Sequence, residues 1–322
     1  MAIITNTVHD ADLERFCSIP GLGELTAEAV RAHNPDLLIT YDSNGNLAGR
    51  ASLWWSQVPQ HPGERLGLIG HYAAKNASSS AEILNAACSE LARRGCTRAV
   101  APMDGSTWRR YRLLSERGSE PLFFLEPDNP DDWPLHFENQ GFSPFANYYS
   151  TLNEDISRPF PLRLPTNFNI RPLDTKRIEE ELHCLWQLAT RGFAGNFLYT
   201  PIEESEFRAI YQRLLLMIRP ELVLIAEANG KPAGFCFALV DMLQASRGVK
   251  VDTYIVKTLA VLPEYRGDGI GNLFFTRINE VAAKLGIRRG IYALMHEDTL
   301  TRQKGVGHFR DIRRYTLYSK SI

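Results

Sequence analysis

Cysteine is scarce in this chain: five residues in 322, at Cys17, Cys88, Cys96, Cys184 and Cys236. An odd number with no CxxC spacing argues against a disulfide framework and against a structural zinc site, so no metal is expected. Neither sign of charge is in excess. Lys and Arg total 36 against 37 Asp and Glu, a net charge of -1. No global field draws nucleic acid or an anionic membrane surface, and neither is expected as a partner. No apolar run approaches the roughly 18 residues of a membrane span. The opening Met1-Ala2-Ile3-Ile4-Thr5-Asn6 has no basic stretch followed by an apolar core, so a cytoplasmic location is expected. Two local basic clusters, Arg109-Arg110-Tyr111-Arg112 and Arg313-Arg314, read as solvated surface runs.

What is present is ordinary globular composition, 44% apolar and 23% charged. At roughly 150 residues per domain the length suggests two domains. An internal repeat supports this. Asn34 to Gly49 can be laid without a gap on Arg219 to Gly234, at a constant offset of 185. Pro, Leu, Asn, Gly, Ala and Gly recur identically, and each copy reads as strand, Asn-Gly turn, strand. Asn-Gly supplies the positive φ of a type I′ hairpin. Downstream, a strand near 65–72 leads to a helix over 81–94 ended by Gly95. In the second copy a strand over 251–261 leads to a helix over 271–285 ended by Gly286. Three prolines in 158–165 place a linker there, between a first half, 1–157, and a second, 166–322. A segment at 297–306 is read as helical and 314–319 as a final strand. The expected fold class is α/β, a mixed sheet with helices on its faces.

The most informative stretch is Leu259-Ala260-Val261-Leu262-Pro263-Glu264-Tyr265-Arg266-Gly267-Asp268-Gly269-Ile270-Gly271. A strand ends at Pro263, a glycine-rich turn follows, and then a helix whose Phe274, Ile278, Val281 and Leu285 share one face. A turn at a helix N-terminus offers free backbone N–H groups and the positive dipole end to an anion. Three glycines at alternate positions clear side chains from its approach, and Arg266 can add a charged contact. A mononucleotide P-loop is excluded, because Gly271 is followed by Asn272 rather than Lys and Ser/Thr. A dinucleotide fingerprint is excluded because Phe274 stands where a small residue is needed.

The pattern Val261-x-Pro263-x-x-Arg266-x-x-Gly269-x-Gly271 resembles the acyl-CoA-binding motif of the GNAT superfamily of N-acetyltransferases. The resemblance runs in element order from Asn169 to the C-terminus, and the repeat makes the chain similar to a tandem GNAT of two acyl-CoA N-acyltransferase-like domains. It implies that the backbone of Leu259, Ala260 and Val261 holds the pantetheine arm like an added strand. It implies that Arg266, Gly267, Asp268, Gly269, Ile270 and Gly271 hold the pyrophosphate of acetyl-CoA, the expected co-substrate. In the first half Lys75, Ser78 and Ser80 stand where Arg266, Gly269 and Gly271 do. That copy is expected to be degenerate, serving to shape the acceptor site.

Amide-forming transfer needs a base for the amine, a donor for the thioester carbonyl and an acid for the thiolate. A backbone N–H near Val261 can serve the carbonyl. The candidate catalytic residues are His296 and Glu297, just past the strand ending at Met295, and Tyr254, with Asp252, at the start of the CoA strand. The family pattern that places an acid Tyr after this strand is absent from Asp298 to Gly305; Tyr315 and Tyr318 lie on the last strand. Asp104, in a polar turn of the first half, is expected to cap a helix, with a place facing the shared cleft as the alternative. The loop 192–201, with Phe197 and Tyr199, is expected to line the acceptor pocket. The expected activity is acetyl-CoA-dependent N-acetylation of a small-molecule or peptide amine; nothing calls for an oligomer. A longer-chain acyl or aminoacyl transferase and a non-catalytic acyl-CoA sensor stay open as alternatives.

Overall fold

A computed structural model describes residues 2–19, 25–158, 165, 167–299 and 309–322. The first half runs β1 (Ala2–Asn6), α1 (Leu13–Cys17), α2 (Ala27–His33), β2 (Leu37–Ser43), β3 (Asn46–Trp54), β4 (Leu66–Ala74), α3 (Ala77–Arg93), β5 (Arg98–Ala101), β6 (Leu113–Glu116), α4 (Trp133–Asn139) and β7 (Ser143–Asn153). The second runs β8 (Asn169–Pro172), α5 (Ile178–Gly192), α6 (Glu204–Leu215), β9 (Val223–Ala228), β10 (Lys231–Val240), α7 (Met242–Ser246), β11 (Thr253–Val261), α8 (Ile270–Lys284), β12 (Arg289–His296) and β13 (Arg310–Ser321). The mixed α/β class is as the sequence implies. Most of the expected linker, and most of the segment 297–306 read as helical, fall outside the described residues.

The repeated hairpins form for the reason their turns predict. Asn44 and Gly45 take φ of 54° and 79°, Asn229 and Gly230 of 50° and 75°. Such successive positive φ values match the right-handed twist of the strands they join. Gly95 and Gly286, both at positive φ, close α3 and α8. α3 starts earlier than the sequence suggests, at Ala77, because the Asn76 side chain accepts from the Ser79 N–H and caps it.

The strands form one sheet in the order β1-β2-β3-β4-β5-β13-β7-β12-β11-β10-β9-β8, with β6 also on β13. The halves exchange their last strands. β13, from the end of the chain, lies antiparallel between β5 and β7; β7 lies between β13 and β12. Both faces of β13 are covered, with Ile312, Tyr315, Leu317 and Tyr318 each at most 3% exposed. α3 and α4 cover one face of the first half, where Ile83, Leu84, Leu91 and Phe137 are buried. In the second half α8 covers one face through Phe274, Phe275 and Ile278, while α5 and α6 cover the other. A further cluster joins the halves, bringing Leu198 of the second half and Tyr315 to Trp54, Met103 and Tyr148 of the first.

Candidate active site

β11 pairs with β12 in parallel only over Thr253–Val256, opposite Arg289–Tyr292. Beyond that β12 follows β7, where Met295 lies opposite Tyr149 and His296 opposite Tyr148, with an irregularity between Tyr292 and Met295. There Leu294 takes φ of 60°, rare for a bulky residue, and its N–H donates to Ser150 Oγ at 3.1 Å. On its other side β11 carries a bulge between Val256 and Thr258, opposite Ala238 and Phe237. The result is a wedge between β11 and β12 from Lys257 onward. The Leu262 N–H donates to Ala233 on β10. By the alternation of a strand, the N–H and C=O groups of Leu259 and Val261 therefore point into the wedge.

The wedge runs into the glycine turn. A short turn at Pro263–Tyr265 precedes Arg266; Gly267 and Gly269 take φ of 94° and 90°, and α8 begins at Ile270. No side chain caps α8. Among the described residues the N–H groups of Gly267, Gly269, Ile270 and Gly271 find no acceptor. A Cβ built on Gly271 would meet nothing within 4 Å. The protein's own packing therefore does not need glycine there; an incoming anion does. Arg266 is spent on the frame: its Nη2 donates to the Gly192 carbonyl at 2.5 Å, tying the turn to the end of α5. These features fit a diphosphate held by backbone N–H groups.

The corresponding places in the first half are closed. α3 is capped by Asn76, whose Oδ1 accepts from the Ser79 N–H at 2.9 Å. Ser80, the counterpart of Gly271, is fully buried and accepts from Tyr72 OH. β4 pairs with β5 over Leu66–Leu68, and the following loop then packs against β4. A Cβ on Gly70 would lie 2.3 Å from the Met103 carbonyl oxygen. Asp104 is not the helix cap the sequence suggested. Its Oδ1 accepts from the N–H of His71 at 2.6 Å, because the turn folds back over β4 rather than entering a helix. His71 takes φ of 44°, its Nε2 lies 2.7 Å from His33 Nδ1, and its Nδ1 lies 2.8 Å from Ser52 Oγ. Burial, with Arg50 and Arg109 nearby, pushes His71 down to about 3; burial and His71 push His33 down to about 4. The unfolded chain takes up these protons near pH 6.5 while the folded one refuses them, so stability falls as pH drops below that value. Between pH 6.5 and 5 the loss from His71 is about 2 kcal/mol. His71→Gln is expected to show a shallower fall in Tm over this interval, measured by calorimetry; an unchanged slope counts against a neutral His71.

The candidate catalytic residues separate. Tyr254 is fully buried beneath α8, its OH donating to Asn279 Oδ1 at 2.7 Å and lying 3.0 Å from Tyr292 OH. It is a core residue, outside the wedge, because its face of β11 is the one α8 covers. Asp252 accepts from Gln244 and Thr253. The nearby cavity of about 320 Å³ is lined by Glu120, Asp241, Arg247 and Arg289, whose charges are paired with one another. His296 and Glu297 reach the rim of the wedge. The His296 ring stands edge-on to Tyr148 and near Phe197, and its Nδ1 accepts from the Asp298 N–H at 3.2 Å. The neutral ring therefore carries its proton on Nε2. Glu297 is fastened to β7, accepting from Asn147 N–H at 2.9 Å and Nδ2 at 3.2 Å.

Other groups at this site carried no signal in the sequence. Lys257, in the bulge, donates through Nζ to the Leu125 carbonyl; burial and the charge of Arg112 push it down to about 8. Glu126 and Arg313 form an ion pair of fully buried side chains, and Tyr315 OH donates to Glu126 at 2.6 Å. Arg313 also donates to the Glu120 and Pro121 carbonyls, so it pins the segment after β6 across the wedge. The two basic runs are thus partly interior, as Arg112 and Arg313 are 6% and 2% exposed. Charge patterning could not show this, since their partners are distant backbone carbonyls, rings and one glutamate. The loop after α5 and the start of α6 meet the first half: Trp108 Nε1 donates to the Thr200 carbonyl, Arg109 pairs with Glu206, and Phe197 packs on Phe145.

Residues 182–303 match the Acetyltransferase (GNAT) family, a span that contains the wedge strands and the glycine turn. Over that segment, in its second half, the chain is similar to the GNAT superfamily. It is 26% identical over 217 residues to a protein of Caulobacter vibrioides named bacterial ceramide synthase, a match covering 64% of this chain and 56% of that one, so it spans about half the length of this relative. It is 22% identical over 315 residues to protein YghO of Escherichia coli, covering 86% of this chain and 80% of that one. Among solved structures it is similar to a conserved protein of Enterococcus faecalis, at 10% identity and a TM-score of 0.58, over all of this chain and 72% of that one. A GCN5-related N-acetyltransferase from Anabaena variabilis matches at 9% identity and a TM-score of 0.57, over 99% of this chain and 73% of that one. Both likenesses span the two halves of this GNAT fold. No helix among the described residues is long and apolar enough to cross a membrane.

Proposed function

We propose that this GNAT chain transfers an acyl group from acyl-CoA to an amine, at one working site in its second half. The observation that carries the reading is the wedge after Val256, opening into a glycine turn with free N–H groups. The Leu259 and Val261 edge would take the pantetheine arm as an added strand, and 267–271 the pyrophosphate. The amine nitrogen bonds to the thioester carbonyl carbon as the C–S bond breaks. Backbone N–H groups at the wedge oppose the charge that grows on the carbonyl oxygen. Neutral Lys257 takes the proton the amine loses, the CoA thiolate leaves as an anion that solvent protonates, and the His296 Nε2–H can offer the sulfur a hydrogen bond.

A lysine held near 8 is a working base only above that pH. The rate of thiol release per enzyme, as kcat/KM, is expected to rise with pH through about 8. Lys257→Met should lose this limb and roughly 100-fold in rate. A variant with an unaltered profile removes Lys257 from the reaction. Acetyl is the donor the family resemblance favours. A longer chain is the second reading, favoured by the Caulobacter relative whose name is bacterial ceramide synthase. Single-turnover thiol release across acyl-CoA donors from acetyl to palmitoyl, with an amine panel, decides between them. Release with no donor and no amine would leave a protein that binds CoA without turnover.

A further inference from the structure

The geometry points to Arg112 as the group that binds a carboxylate on the amine acceptor, an inference that rests on the acyl-transfer reading above. Arg112 ends the turn after β5 and is 6% exposed. Its guanidinium lies in the corner of two perpendicular rings, 4.0 Å from the centroid of Tyr111 and 4.0 Å from that of Tyr148. Nε and Nη1 are sealed from solvent and have no hydrogen-bond partner. No carboxylate among the described residues pairs with it. A guanidinium cannot shed its charge by losing a proton. Burying one without a counter-ion is costly, and two rings offset that cost only in part.

The other buried arginines are provided for. Arg50 donates to the His71 and Phe16 carbonyls, and Arg313 to Glu126 and several backbone oxygens. Arg112 alone among these three is left with its donors unused, and its backbone is held at a φ of 66° to keep it in place. The Arg112 N–H donates to the Pro102 carbonyl at 2.9 Å.

Its position gives the ligand a role. Tyr148, one of these two rings, lies opposite His296 in the β7–β12 register and meets its ring at 5.1 Å. Arg112 is near enough to Lys257 for their charges to repel. Glu126, the acidic group near Lys257, is already held by Arg313 and Tyr315. Arg112 and Lys257 therefore stand as two cations with no carboxylate of their own among the described residues. The two perpendicular rings leave Nε and Nη1 without an acceptor, and a carboxylate can meet a guanidinium with paired hydrogen bonds. Tyr111, half-buried, is the ring nearer solvent.

The test uses the full chain with CoA present and matched amines: L-leucine against 3-methylbutylamine, L-phenylalanine against 2-phenylethylamine, and O-phosphoethanolamine against ethanolamine. Calorimetry should show binding of the carboxylated member of each amino-acid pair and not of its counterpart. Arg112→Gln should weaken it roughly 10- to 100-fold, with CoA affinity unchanged and Tm equal to or above the wild type. A Tm well below wild type would mark Arg112 as a structural residue and overturn the inference. So would equal binding of both members, binding of the phosphate alone, or binding of none. Wild-type protein that fails to bind CoA would instead overturn the acyl-transfer reading itself.

Discussion

Gly271→Glu is expected to abolish CoA binding while leaving the fold intact. The position has ordinary helical φ, and a Cβ there meets nothing within 4 Å. Glutamate in the first turn of a helix is favourable to the macrodipole, so Tm should hold or rise slightly. The same carboxylate would stand among the free N–H groups of 267–271, competing for them and repelling a diphosphate. A loss of at least about 100-fold in affinity, roughly 2.7 kcal/mol, is expected. The variant separates binding from folding in a way that Gly269 does not, since Gly269 is held at a φ of 90° that another residue would strain.

Removal of residues 310–322 is expected to prevent the whole chain from folding, the first half included. Among the described residues β13 pairs with β5, β6 and β7 of the first half and with no strand of the second. Ile312, Tyr315, Leu317 and Tyr318 lie in its core; at roughly 1.5–3 kcal/mol each their loss is about 6–12 kcal/mol, as large as the total stability of a typical domain. Deleting Arg313 also leaves Glu126 buried and unpaired. For the same reason fragments 1–157 and 166–322 should each be insoluble when expressed alone and recover when expressed together, as read by size-exclusion chromatography and circular dichroism. A soluble, cooperatively melting 1–157 fragment would contradict the exchanged topology.

What could be read in the chain was what is set locally. The Asn-Gly turns, the closing Gly95 and Gly286, and the Arg266–Gly271 turn depend on backbone conformations that few residues adopt, so their residues announce them. The strand exchange depends on pairing between Tyr318 and Ala101, more than 200 residues apart, and no local pattern records it. The buried runs failed for a related reason: Arg112 and Arg313 look like surface charge until the rings of Tyr111 and Tyr148, or the carboxylate of Glu126, are brought to them. Tyr254 was misplaced because position along a strand was read without its face. It alternates with Ile255, and the side it takes is the one α8 covers.

The closed first half predicts that duplication of the fold left one nucleotide cradle. Asn76 caps α3, Ser80 is buried, and the turn at Met103–Asp104 fills the space beside β4. The most direct test is the stoichiometry of CoA binding by isothermal titration calorimetry, on wild type and Gly271→Glu in parallel. One site per chain, absent in the variant, is the predicted result. Two sites, or one that survives Gly271→Glu, would contradict it.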